Sequence, residues 1–346
     1  MRLPGMHMAR STPGAAVAGG GAVAYNRPLF ASIFPMQVFR SVPEQAATPC
    51  VLTIGNFDGL HRGHQALLER LTAKAKSLGL PATVMTFEPH PRELFTPEQA
   101  PARLTSLREK LELLAGNGVD RVFVCHFSAR LASLEAERFI ERILVNGLGV
   151  RHLFVGDDFQ FGKGRRGDFA MLQGAGAQHG FGVEAMHTIE WQGERVSSSF
   201  VREVLAAGDL EHAARLLGRP YAIAGRVVHG DKIGRQLGFP TANVQLKRKR
   251  VPLSGVFAVH VEGIAGQPLP GAASLGTRPT IASGLRPVLE VHLLDFDRSI
   301  YDAHVTVNFL HKLRDEARFD SLEELTAHIT QDVAAIRNYF QSMKNG

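Results

Sequence analysis

Gly55-Asn56-Phe57-Asp58-Gly59-Leu60-His61-Arg62-Gly63-His64 places two histidines, three residues apart, at the end of a glycine-rich run. Those residue types suit a bound phosphate. Glycines let the backbone come close, and the free N–H groups and dipole of a helix start attract negative charge. Histidine donors there stand where charge grows when a phosphorus is attacked. A metal pair is poorly supported, because no third ligand lies nearby; a plain helix cap is the alternative without chemistry. The run can hold an anion only if its flanks position it. Val51-Leu52-Thr53-Ile54 before it is strand-like, and Leu67, Leu68, Leu71, Ala75 and Leu78 after it repeat at helical spacing. The sequence therefore predicts a strand, a turn and a helix N-terminus in succession.

Other segments carry chemistry of their own. Ser197-Ser198-Ser199-x-x-Arg202 is either an anion clamp of hydroxyls and one guanidinium or an ordinary serine-capped helix. Asp157, Asp158 and Phe159 follow the apolar run His152-Leu153-Phe154-Val155 and precede Gly162-Lys163-Gly164-Arg165-Arg166-Gly167. Asp158 is either a ligand or metal contact or a turn carboxylate, and the basic loop after it reads as solvated and mobile.

Gly230-Asp231-Lys232-Ile233-Gly234-Arg235 is a glycine-rich flap ahead of Gly238-Phe239-Pro240-Thr241-Ala242-Asn243. Thr241 and Asn243 alternate along an extended segment and so share a face. A hydroxyl and an amide carbonyl there can ligate Mg²⁺ beside phosphate; a plain proline turn is the other reading. The Gly-Lys-Ser/Thr ending of a Walker A loop is missing. Glu290 lies in Val288-Leu289-Glu290-Val291-His292-Leu293-Leu294, on one strand face with His292. A carboxylate in an apolar strand needs a task or a partner: a general base or a buried ion pair. Lys247-Arg248-Lys249-Arg250 lacks interleaved aromatics for base stacking and reads as a solvated loop between strands.

The elements that must position these residues fall into two halves. Strand-like runs at 51–54, 82–87, 121–125 and 152–156 alternate with helical patterns. One helix opens on the capping box Ser106-Leu107-Arg108-Glu109, and another is expected over 134–145, stopped by Asn146-Gly147. That rhythm predicts an α/β domain with a parallel sheet and ligands beyond the strand C-termini. After Arg219-Pro220, strand-like runs at 221–228, 256–261, 272–275, 288–294 and 304–309 predict a compact β-barrel. One helix with Leu322, Leu325, Ile329, Val333, Ile336 and Phe340 on a single face ends the chain.

A length of 346 residues fits two domains, and a 45% hydrophobic content fits real cores. The apolar runs are strand-length, so no membrane span is expected. Cys50 and Cys125 are the only cysteines and fit buried free thiols in a reducing cytoplasm. A net charge of +6 favours anionic partners, a preference that phosphate-bearing small molecules satisfy without nucleic acid. Residues 1–35, rich in Gly, Ala and Pro, lack the sustained apolar stretch of a signal peptide. They are expected to be a disordered tail or an over-long start.

The histidine-bearing run resembles the nucleotidyltransferase signature of the bacterial bifunctional riboflavin kinase/FAD synthetase family. Thr86-Phe87-Glu88-Pro89-His90-Pro91, Val155-Gly156-Asp157-Asp158-Phe159-x-Phe161-Gly162 and Ser197-Ser198-Ser199-x-Val201-Arg202 are similar to the same family, and Gly238-Phe239-Pro240-Thr241-Ala242-Asn243 resembles its kinase signature. The likeness spans about 36 to 342. It implies a Rossmann-like adenylyltransferase domain over 36–218 and a riboflavin kinase barrel over 219–346. Riboflavin, ATP and FMN are the implied substrates, FAD the product, and Mg²⁺ the metal.

The resemblance also implies roles. His61 and His64 stabilise ATP phosphates; Gly55, Asn56, Phe57, Asp58 and Gly63 line that pocket; Ser197, Ser198, Ser199 and Arg202 grip the leaving phosphates. The third serine is often threonine in the family, which keeps the hydroxyl. Asp158, sometimes Asn in relatives, and Phe159 face the flavin. In the barrel, Gly230, Lys232, Gly234, Gly238, Pro240, Thr241 and Asn243 hold ATP, with Thr241 and Asn243 on Mg²⁺ and Glu290 as base on the riboflavin 5′-hydroxyl. Two other readings stand beside this one. A monofunctional nucleotidyltransferase with an accessory β-barrel leaves Thr241, Asn243 and Glu290 unexplained. A nucleic-acid-binding barrel protein lacks the aromatic platform.

Overall fold

Strands covered on both faces become near-continuous apolar runs, and those of the first half are of that kind. In the computed structural model, residues 23–24, 36–186, 190–191, 193–230, 233–280 and 284–345 are described; Lys232 and most of 1–35 lie outside them. Strands β1 (Gln37–Phe39), β2 (Cys50–Ile54), β3 (Ala82–Glu88), β4 (Arg121–His126), β5 (Val150–Gly156) and β6 (Gly182–Met186) form a parallel sheet in the order β1-β4-β3-β2-β5-β6. Val23–Ala24 pairs antiparallel on the β1 edge.

Helices α1 (Arg62–Leu78) and α2 (Leu107–Gly116) pack Leu68, Leu71, Leu111 and Leu114 on one face of the sheet. On the other face Phe139, Ile140 and Leu144 join Leu172 of α3 (Phe169–His179). The single helix expected over 134–145 is corrected here. Ala129–Ala132 and Ala136–Phe139 are short α-helical turns, and Ile140–Gly147 is a π-helix. The chain at 42–46 crosses the end of this stretch, where the Ala46 N–H donates to the Asn146 carbonyl at 2.7 Å. Such wide turns recur at functional sites.

Helices α4 (Ser198–Ala207) and α5 (Leu210–Leu217) lead into the second half. There β7 (Tyr221–Val228), β8 (Ala242–Val244), β9 (Gly255–Glu262), β10 (Leu269–Thr280), β11 (Gly284–Leu293) and β12 (His304–Arg314) close a barrel in the order β7-β8-β11-β10-β9-β12. Inward residues such as Ile223, Phe257, Leu289 and Val307 share one core with Val201, Leu205, Leu216 and Leu217 of α4 and α5. The terminal helix α6 (Leu322–Asn345) lays Val333, Ile336 and Phe340 on the outer barrel wall against Ala258 and Leu294. A two-pronged Arg314–Asp332 pair, at 2.9 and 2.6 Å, pins it there. No described helix is long and apolar enough to cross a membrane. Both cysteines are buried free thiols; burial pushes Cys50 up to about 11 and Cys125 to about 12.

The basic run 247–250 is not uniformly solvated, and that expectation is corrected as well. The Arg248 side chain is 1% exposed and ion-pairs with Glu109 of α2. It also donates to the Leu104 carbonyl at 2.9 Å and the Tyr221 hydroxyl at 3.1 Å. Glu109 completes the Ser106 capping box and accepts the Ala224 N–H of β7 at 2.6 Å. One guanidinium thus joins the sheet domain to the barrel. Arg248→Met strands the Glu109 carboxylate, and removing one partner of a buried pair costs about 3–5 kcal/mol. Urea unfolding checks this. A loss below about 1 kcal/mol contradicts it, as does a Glu109→Gln/Arg248→Met double variant whose loss equals the sum of the two single ones.

Candidate active sites

Between β2 and α1 the chain turns through left-handed backbone at Phe57 (φ 49°), Gly59 (φ 83°) and Leu60 (φ 43°). Phe57 and Leu60 are buried in the core, which offsets the strain of a non-glycine residue there. Gly59 has no such latitude, since a Cβ on it lies 2.6 Å from Leu104 Cδ1. His61 caps α1, its Nδ1 accepting the His64 N–H at 3.4 Å, and the two imidazoles stack at 3.7 Å between centroids. Burial pushes His61 down to about 4. Burial, then the charges of His61 and Lys110, hold His64 well below its ordinary value. Both rings are therefore neutral at pH 7, with an N–H each to donate. His64 Nδ1 and Asn56 Oδ1 are buried without a hydrogen-bond partner, a rare condition that marks space for a ligand or solvent.

Asp58 does different work from its neighbours. Oδ1 accepts the Thr105 N–H and hydroxyl, both at 2.9 Å; Oδ2 accepts the Leu104 N–H at 3.0 Å and Arg202 Nη2 at 2.5 Å. Burial alone raises its pKa, and Arg202 with the two amides more than reverses that, holding the carboxyl below its usual range. A carboxylate has about four lone-pair sites, so Asp58 shapes the turn and has no acceptor left for a ligand. The serine run divides its duties too. Ser197 caps α4, Ser198 donates to the Asp58 carbonyl at 2.8 Å, and Ser199 is exposed. Arg202 also binds the Ala102 carbonyl through Nε at 2.6 Å. The N-termini of α1 and α4 therefore meet at one turn. Sequence reasoning missed the residues that brace it from the far side. Arg219 donates to the Gly59 carbonyl at 2.7 Å, and Gln65 bridges the Leu60 and Leu217 carbonyls at 2.9 and 2.7 Å.

At the end of β5, Asp158 is exposed and Phe159 half-buried. The Phe159 ring stacks on Phe161, which meets Phe139. This apolar layer, which includes Leu134 and Ile143, borders a cavity of about 570 Å³ beyond β1 and β4. Met85, Leu131, Leu134 and Ile143 line it together with Arg40 and Arg142. Its size is that of a small-molecule site. No motif marked it, because its lining residues come from separate segments of the chain. In the basic loop, Lys163 bonds Glu135 at 3.0 Å and Arg165 bonds Gln160 at 2.7 Å.

The second constellation lies on the outer wall of the barrel. Asn243 on β8 is in register with Glu290 on β11, and Glu290 with Ser274 on β10. Residues so paired lie roughly 5 Å apart at Cβ. Val244 and Leu289 beside them point into the core. The flap residue Gly230 is pressed on this pair, since a Cβ there would sit 2.2 Å from Asn243 Nδ2. A Cβ on Gly234 would sit 2.5 Å from the Phe239 carbonyl oxygen and 3.2 Å from the Thr241 hydroxyl. His292 Nδ1 lies 2.9 Å from the Pro240 carbonyl and Phe239 packs edge-on to the His292 ring, which fixes the Gly238-Phe239-Pro240 turn. The structure thus brings together Gly230, Gly234, Thr241, Asn243 and Glu290.

Comparison with known proteins agrees with this division. A family model described as FAD synthetase matches residues 43–200, and one described as riboflavin kinase matches 217–340. The chain is 59% identical to a bifunctional riboflavin kinase/FMN adenylyltransferase of Pseudomonas fluorescens, covering 83% of this chain and 92% of that one. It is 51% identical to the Escherichia coli K12 protein of that name, covering 88% and 98%. A solved structure titled macrolide-efflux protein from Streptococcus pneumoniae superimposes with a TM-score of 0.73 at 29% identity, covering 87% and 98%. The match to a kinase model over the barrel does not favour the accessory-barrel alternative. This chain belongs to the family of bifunctional riboflavin kinase/FMN adenylyltransferases.

Proposed function

We propose that the barrel unit, 219–346, phosphorylates riboflavin and the sheet unit, 36–218, adenylylates the resulting FMN. The observation that supports this reading is the coexistence of two clusters whose residue types suit phosphate, one at the α1–α4 turn and one on the barrel wall. In the first step Glu290 takes the proton of the riboflavin 5′-hydroxyl as that oxygen attacks the γ-phosphorus, and ADP leaves. Thr241 and Asn243 offer hard oxygen donors beside the glycine flap, a set that fits Mg²⁺ bound chiefly through phosphates. Among the described residues no cluster of three acidic, His or Cys side chains competes as a metal site. When bound, Mg²⁺ neutralises phosphate charge. The backbone cradle at Gly230, Gly234 and Gly238 orients the phosphates, and Lys232 joins them.

In the second step an FMN phosphate oxygen attacks the α-phosphorus of ATP, the bond to the β-phosphate oxygen breaks, and pyrophosphate leaves. No enzyme-bound covalent intermediate is needed. His61 and His64 donate N–H groups to the phosphate oxygens, and the starts of α1 and α4 add their dipoles. Ser199 and the unused Arg202 nitrogen hold the pyrophosphate side. The cavity with Met85, Leu131 and Ile143 suits the flavin ring, and Phe159 and Asp158 at the end of β5 are further flavin contacts. The buried thiols support a reducing cytoplasm as the setting. Small-molecule anions account for the positive charge, so neither nucleic acid nor membrane is assigned as a partner.

Riboflavin, ATP and Mg²⁺ incubated with the protein should give FMN and then FAD on chromatography; finding neither overturns the reading. Glu290→Gln should cut FMN formation about 10²–10⁴-fold and leave FMN-to-FAD conversion intact. His64→Ala should do the reverse, by about 10²-fold or more. Either substitution abolishing both steps in folded protein contradicts the two-site assignment.

A further inference from the structure

Lys110 is a charged residue where the fold calls for an apolar one. Leu107, Lys110, Leu111 and Leu114 follow the spacing of the core-facing stripe of α2, and Leu111 and Leu114 lie in the sheet core. Lys110 is only 4% exposed. It also stands in the first helical turn, where the helix dipole disfavours a cation. Among the described residues its ammonium group makes no hydrogen bond and no ion pair within 4.0 Å. The acidic groups around it have closer partners: Asp58 pairs with Arg202, Glu109 with Arg248, and Glu88 and Glu93 share the one guanidinium of Arg103, so that Asp58, Glu88 and Glu93 attract Lys110 only from beyond contact distance.

A largely buried side chain that holds its ammonium group with no carboxylate in contact is costly, so its retention there calls for an anion that arrives later. The position supplies one. The charge of Lys110 reaches Asp58, His64 and His90. The segment before it, Leu104-Thr105, is bonded to the phosphate turn through Asp58. In the turn itself, His64 Nδ1 and Asn56 Oδ1 are buried without hydrogen-bond partners. The histidines there are neutral, so they cannot by themselves neutralise a triphosphate facing a phosphomonoester. We infer that Lys110 is a further substrate-binding residue of the adenylyltransferase site, its ammonium group contacting phosphate oxygens when ATP and FMN are bound. It gives up no proton; the bonds made and broken are those at the α-phosphorus described above. The inference rests on the reading of the His61–His64 turn as the phosphate site.

The test uses the full-length chain, with both activities measured on each preparation and the binding of ATP, FMN and adenosine measured by calorimetry. Lys110→Gln should lower kcat/KM for FMN adenylylation by about 100-fold or more, the scale of losing one preorganised donor. It should leave FMN formation from riboflavin within about twofold, outside the reach of a local change. ATP binding at that site should weaken while adenosine binding holds, which marks a phosphate contact, and weakened FMN binding instead assigns the contact to the flavin phosphate. Lys110→Arg, which keeps the charge, should restore at least about a tenth of the activity. A Lys110→Gln protein adenylylating at the native rate while His64→Ala is impaired overturns the role of Lys110 alone. Native rates in both variants overturn the reading of the turn. Loss of both activities with a lower Tm, unrestored by Lys110→Arg, assigns Lys110 to packing and also overturns the proposal.

Discussion

The buried carboxylate of Asp58 is the contact on which the sheet-domain site depends. It ties together three stretches of chain that are remote in sequence: its own turn, Leu104-Thr105 ahead of α2, and Arg202 on α4. Hydrogen bonds to a charged acceptor contribute more than neutral ones, and here every lone pair is used. With the turn clamped in this way, Asp58 is saturated while Asn56 Oδ1 and His64 Nδ1 stay buried without partners. The division is chemical.

The clamp extends into the barrel. Leu104 gives its N–H to Asp58 and its carbonyl to Arg248, and Arg248 follows β8, the strand that carries Asn243, by only a few residues. Arg219 binds the turn backbone from just before β7. The chain that forms the kinase constellation therefore also supports the adenylyltransferase turn. Since α4 and α5 share a core with the barrel, the two halves are joined by packing as well as by ion pairs. A substitution in this seam acts on the shape of the turn without touching a substrate.

Local signals were legible. The strand–turn–helix at Gly55–His64, the Ser106–Glu109 capping box and the shared strand face of Glu290 and His292 follow from spacing alone, and each is present. Long-range partners were not legible. Arg248 sits in a run of four basic residues and only the fold singles it out, by burying it against Glu109. Asp58 reads as a pocket-lining acid until Arg202 and Thr105, far along the chain, consume it. The helical pattern over 134–145 does not distinguish α from π turns, and the cavity that Ile140–Gly147 helps line has no motif of its own. Lys110 carried a weak signal, a cation in an apolar stripe, whose meaning depends on neighbours being already paired.

The most direct measurement is the pair of steady-state rates, riboflavin phosphorylation and FMN adenylylation, on one preparation of Asp58→Asn. The substitution keeps the shape but removes the charge that holds Arg202 and faces the Thr105 N–H and hydroxyl with an amide. If this carboxylate sets the turn, adenylylation falls by about 100-fold, as when a preorganised contact is lost, while phosphorylation stays within about twofold. Adenylylation at the native rate would show that the turn holds its shape without the clamp, and would contradict the account.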